Sequence, residues 1–112
     1  MKISDKDIGK VTVLYPEGEA DVYNCNMIKA AITKLENEGR IRVVVNLAGV
    51  PYMDSSSIGV LVAGKTSLRK SNGDLKVSDA VKAVAKVFEI TRVGSFLEVF
   101  ETEEQAIASF GT

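Results

Sequence analysis

Apolar side chains at Val11, Val13 and Tyr15, with Thr12 and Leu14 between them, predict a strand that is apolar on one side and partly so on the other. An earlier strand from Ile3 to Ile8 has a weaker pattern, and Pro16-Glu17-Gly18 interrupts the alternation. From Val22 the period lengthens. Met27, Ile28, Ala31, Ile32 and Leu35 share one helical face, with Lys29, Lys34 and Glu36 elsewhere, and Gly39 stands where a C-terminal cap is expected. The run Ile41-Arg42-Val43-Val44-Val45-Asn46-Leu47 is β-branched and nearly continuously apolar, which suits a central strand covered on both faces. A turn through Gly49 and Pro51 leads into a second helix that starts at a cluster of hydroxyls and ends near Lys70.

Ser71-Asn72-Gly73-Asp74 reads as a turn and Leu75-Lys76-Val77 as a short strand. Val81, Val84, Ala85 and Phe88 follow at i, i+3, i+4 and i+7, giving another helix, and Phe96 to Phe100 is expected to be a last short strand. Thr102-Glu103-Glu104-Gln105 has the spacing of a capping box before a terminal helix built on Ala106, Ile107 and Phe110. Strands alternate with helices after a hairpin-like start. The expected class is therefore α/β, a mixed, mostly parallel sheet of four or five strands packed with about four helices.

At 112 residues the chain is expected to form a single domain, residues 1–112, with one core. Its 14 basic and 15 acidic residues are interspersed, leaving a net charge of −1 and no basic stripe for nucleic acid or anionic lipid. No uncharged run approaches the ~20 residues of a membrane span, and the start Met1-Lys2-Ile3-Ser4-Asp5 is too polar for a signal peptide. Cys25 is the one cysteine, so no internal disulfide can form and a cytoplasmic location is expected.

The absence of histidine removes Ser-His catalysis and most zinc sites. No phosphate-binding glycine loop or nucleophile elbow occurs. Ser67-Leu68-Arg69-Lys70 matches Ser-x-x-Lys without its companion motifs and reads as the polar end of a helix. Asp21 and Asp54 form a candidate carboxylate pair for a small nucleotide enzyme, with helix capping as the competing account of Asp21. No enzyme activity, cofactor or metal is expected. The informative stretch is Met53-Asp54-Ser55-Ser56-Ser57-Ile58-Gly59, three hydroxyls beside a carboxylate where a strand turns into a helix. Asp and Ser are favoured N-caps, because their oxygens accept from the unpaired N–H groups of a first turn. An aliphatic hydroxyl there can also stay at the surface, where another protein can reach and modify it.

The hydroxyl cluster in this setting resembles the STAS family, the sulfate transporter and anti-sigma factor antagonist domains, and within it the small bacterial anti-sigma factor antagonists. Gly18-Glu19-Ala20-Asp21, Val43-Val44-Val45-Asn46-Leu47 and Tyr52-Met53-Asp54-Ser55-Ser56 followed by Ile58-Gly59-Val60 carry the resemblance, in that order. It implies a protein switched by phosphorylation of a serine that maps to Ser55, with Ser56 the second choice and Ser57 the third. Ser57 departs from the glycine or alanine more usual in the family. The partners implied are an anti-sigma factor serine kinase, bound by the unphosphorylated form so that its sigma factor is released, and a serine phosphatase. Asp21, Asp54, Ser55, Ser56, Ser57, Ile58 and Gly59 are the expected partner-binding residues. No direct nucleic-acid contact or membrane insertion is implied, and a monomer or weak dimer is expected. Alternatives are a scaffold subunit of a stress-signalling assembly and a STAS subunit of a membrane lipid or transport complex.

Overall fold

In the computed structural model, which describes residues 1–111, β1 (Lys2–Ile8) and β2 (Val11–Glu17) form an antiparallel hairpin. The chain continues through α1 (Cys25–Asn37), β3 (Arg42–Asn46), α2 (Ser55–Lys70), β4 (Asp74–Ser78), α3 (Lys82–Thr91), α4 (Gly94–Leu97), β5 (Val99–Phe100) and α5 (Glu103–Ala108). The five strands lie in sequence order, and every pairing after the hairpin is parallel.

Strand periodicity divides the core into two layers. Leu14, Val43, Val45, Leu75 and Val77 pack in one cluster with Ile28, Ile32 and Leu35 of α1, Ile58, Leu61 and Leu68 of α2, and Val84 and Phe88 of α3. Val11, Val13 and Val44, their neighbours in the same strands, pack instead with Ala106, Ile107 and Phe110. The central strand is thus buried on both faces, as its unbroken apolar run predicts.

Local chemistry sets the ends of the helices. Gly39, at φ +77, donates its N–H to Glu36 O at 3.0 Å, and Arg40 donates to Leu35 O at 2.9 Å, a Schellman closure of α1. Asn72 and Gly73 close α2 in the same way, through bonds to Arg69 O and Leu68 O. A Cβ added at Gly73 would clash with the Ile41 carbonyl oxygen, so only glycine fits in the turn between α2 and β4. Thr102 caps α5 by accepting from the Gln105 N–H.

Two expectations are corrected. Phe96 and Leu97 belong to the short helix α4, and the final strand is only Val99–Phe100. A helical turn buries Leu97 completely, and Glu98 then reverses the chain in a left-handed conformation (φ 56). Strand β2 also runs on through Pro16 and Glu17. Pairing with β3 spans only Thr12–Leu14, so at Pro16 the strand has a ladder on one side and tolerates a missing N–H. No helix among the described residues is long and apolar enough to cross a membrane.

Tyr15 lies on the α5 side of the sheet. Burial pushes its phenol up from 10.0 to about 12, and a hydrogen bond to Glu103 adds to the rise. Between these values the folded chain keeps a proton that the unfolded chain has lost, so stability falls as pH rises. Replacing Tyr15 with Phe is expected to make alkaline unfolding shallower over that window, measured by urea midpoints at stepped pH against the parent protein.

Candidate functional site

Hydrogen bonds join two loops at the carboxyl end of the sheet. Ala20 donates its N–H to Tyr52 O at 2.9 Å and Asp54 donates its N–H to Ala20 O at 3.1 Å, so Ala20 and Met53 form a single parallel bridge. Asp54 is the N-cap of α2. Its Oδ1 accepts from the Ser57 N–H at 3.0 Å, while its Oδ2 accepts from the Val22 N–H, also at 3.0 Å, in the facing loop. One carboxylate therefore fixes both the start of α2 and the loop that leads to α1.

Asp21 organises that loop. Its Oδ1 accepts from the N–H groups of Tyr23 (2.9 Å) and Asn24 (3.1 Å), and Asn24 Oδ1 accepts from the Asp21 N–H. Asn24 Nδ2 donates to Glu19 O at 2.7 Å. The cap at Asp21 closes a turn just ahead of α1, whose own N-cap residue is Asn24. Asp21 and Asp54 thus meet at one junction, but backbone N–H groups occupy both. They do not form an open acid–base pair. Among the described residues, no group of three or more His, Cys, Asp or Glu side chains is placed to hold a metal ion.

The three serines separate by helical rotation. Ser55, the first residue of α2, is exposed, Ser56 is half-buried and Ser57 is fully buried with its Oγ unpartnered. Ile58 is 5% exposed and packs into the core. The expectation that Ser57 and Ile58 meet a partner is corrected: their side of α2 rests on the sheet. Gly59 is exposed with nothing within 4 Å of a Cβ built on it, so its backbone lies open to solvent. The close helix crossing falls at Gly64, where Ile32 Cδ1 comes within 3.0 Å of such a Cβ.

The structure adds an apolar surface that hydrophobic patterning does not single out. Val22 (58% exposed), Tyr23 (93%) and Tyr52 (50%) stand in the two joined loops that flank Asp54 and Ser55, while Met27 (45%), in the first turn of α1, lies off toward β1. Met27 belongs to the predicted apolar face of α1 and borders a shallow depression with Ile3, Ser4 and Asp5 of β1 and Leu14 of β2. Chemically, the site offers an accessible alcohol at a helix N-terminus, a fixed carboxylate beside it and exposed apolar side chains in the flanking loops.

A model of the STAS domain matches residues 2–106. The anti-sigma-B factor antagonist of Staphylococcus epidermidis is 31% identical over 87 residues, covering 78% of this chain and 81% of that protein. Two solved structures share the fold: the anti-sigma factor antagonist SpoIIAA in its unphosphorylated form, with TM-score 0.81 at 23% identity, and the Bacillus cell fate determinant SpoIIAA in the phosphorylated form, with TM-score 0.72 at 22% identity. The first aligns over 97% of this chain and 96% of its own, the second over 97% and 99%.

Proposed function

This chain belongs to the STAS domain family, and we propose that it is an anti-sigma factor antagonist whose docking is switched by phosphorylation of Ser55. The observation that carries the reading is the placing of Ser55: exposed at the first turn of α2, beside the Asp54 carboxylate and next to the loops that expose Val22, Tyr23 and Tyr52. The unmodified form docks on an anti-sigma factor kinase through this surface and frees the sigma factor. Asp21, Asp54, Ser55, Ser56 and Gly59 form the polar part of the contact, and a serine phosphatase resets it. The chain acts as one domain in the cytoplasm, as a monomer or weak dimer, and works by binding rather than catalysis.

A phosphate at this position adds about −1.5 to −2 charges and three acceptor oxygens. The N–H groups of Ser55 and Ser56 have no acceptor within the helix, and the dipole of α2 favours an anion at this end. The fold is accordingly able to carry the group with little change. SpoIIAA, which shares the fold, has been solved in both forms.

Treatment with the cognate kinase, followed by peptide mass spectrometry, is expected to place a single phosphate on Ser55, and Ser55→Ala is expected to remove it. Ser57 is sealed beneath the helix and should stay unmodified. A phosphate found on Ser56 in the native protein, with Ser55 unmodified, would overturn the assignment.

A further inference from the structure

Among the described residues, two exposed large apolar side chains, Ile90 (70%) and Phe96 (41%), lie on α3 and α4, away from the loops that flank Ser55. The same two helices border an open groove of about 760 Å³. Lys82, Ala85, Lys86 and Glu89 line it at i, i+3, i+4 and i+7, one face of α3. Opposite stand Gly94, Ser95 and Val99, with Phe88, only 3% exposed, contributing apolar floor. Lys82, Lys86 and Arg92 are exposed, and none joins an ion pair among the described residues. Three cations thus border the groove against one carboxylate, Glu89, in a chain whose net charge is −1.

We propose that this groove is a second docking surface, which takes an acidic amphipathic segment of a partner protein. Carboxylates on the segment would meet Lys82, Lys86 and Arg92, while apolar side chains cover Ala85, Phe88 and Val99. The apolar floor disfavours a free phosphate compound, which needs polar contacts or water on every side. The combination of cationic rim and apolar floor fits a segment that presents both chemistries, in the helix-in-groove manner. None of these residues belongs to the surface around Ser55, so the groove can be occupied whatever the state of that serine.

The test is a titration of nitrogen-15-labelled protein with a synthetic helical peptide bearing glutamates along one face and leucines beside them. Amide shifts are expected at Ala85, Glu89, Gly94 and Val99. The same peptide with glutamine for glutamate should bind about tenfold more weakly, as should the original peptide to a Lys82→Glu, Lys86→Glu protein. Lys86→Gln alone supplies a milder variant if the double change disturbs folding by circular dichroism. Ser55→Glu protein should bind the peptide unchanged, so a failure here is distinct from a failure of the Ser55 switch. Shifts absent or confined to other surfaces would overturn the proposal. So would equal binding of the glutamine peptide, or tighter binding of ATP or of phosphatidylserine vesicles at the groove.

Discussion

Phosphate on Ser55 is expected to weaken binding to the anti-sigma factor kinase by about a hundredfold or more while leaving the melting temperature within a few degrees of the unmodified protein. The two halves of this result have separate causes. Locally, the anion sits at the start of α2, where free N–H groups and the helix dipole offset its charge. At the interface nothing offsets it. Asp54 lies one residue away and cannot swing aside, since its two oxygens hold the Ser57 and Val22 N–H groups. Docking must strip water from Val22, Tyr23 and Tyr52, and with them from a phosphate already facing a carboxylate. Burying an uncompensated charge costs about 3–5 kcal/mol, and each 1.4 kcal/mol is a tenfold change in affinity.

Graded substitutions separate charge from shape. Ser55→Ala should bind within about threefold of the parent, because losing an exposed hydroxyl costs less than 1 kcal/mol. Ser55→Glu adds one charge on a longer arm and should fall between the two. Isothermal titration against the kinase, with circular dichroism melts in parallel, measures both quantities. Equal affinity before and after phosphorylation would refute the switch, and a melted phosphoprotein would refute its rigid-scaffold basis.

The layered sheet was readable because it rests on short-range patterns: the β-branched run over Val43–Val45, the 3.6-residue period of α1 and α3, and the cap at Thr102. The site was readable only in part. Three adjacent serines are chemically alike, and which one faces water depends on where the sheet lies beneath α2. That rotation buries Ser57 and exposes Ser55. Val22 and Tyr23 fall outside the periodic face of α1, and their exposure follows from contacts that patterning along the chain does not encode: the Val22 N–H donates to Asp54 across the junction and the Tyr23 N–H donates to Asp21. The α3–α4 groove escaped for a similar reason. Its cationic face belongs to a helix of ordinary amphipathic pattern, and its opposite wall comes from α4 and β5, read beforehand as a single strand.

Lys65 is the residue that sequence patterning places least well and that is expected to matter most for stability. It follows Gly64 in the middle of α2, where a helix pattern reads it as solvated, yet it is fully buried. Its Nζ lies 2.9 Å from Leu75 O, 2.9 Å from Glu98 Oε1 and 3.0 Å from Asp74 Oδ1, joining α2 to β4 and to the turn before β5. The hydrogen bond from Lys65 holds the Glu98 carboxyl below its usual range, with Lys76 adding a weaker pull. A depressed carboxylate stabilises the fold above its ordinary value near 4.5, and this support fades as pH falls through the lower, folded value. The order of effects on removing the partners follows from burial. Asp74→Asn with Glu98→Gln leaves a cation sealed in the core without a counter-charge, and should cost about 3–5 kcal/mol. Lys65→Met removes the buried charge and keeps the apolar stem, leaving two carboxylates that reach water at 24% and 39% side-chain exposure. Its cost should be clearly smaller. In urea unfolding at neutral pH the midpoint should fall by about 1–5 M for the double carboxylate variant, given slopes near 1–3 kcal/mol per M, and by less for Lys65→Met. If Lys65→Met proves the more damaging change, the lysine contributes more than it costs to bury, and the ion pairs, not the apolar packing, hold α2 to the sheet.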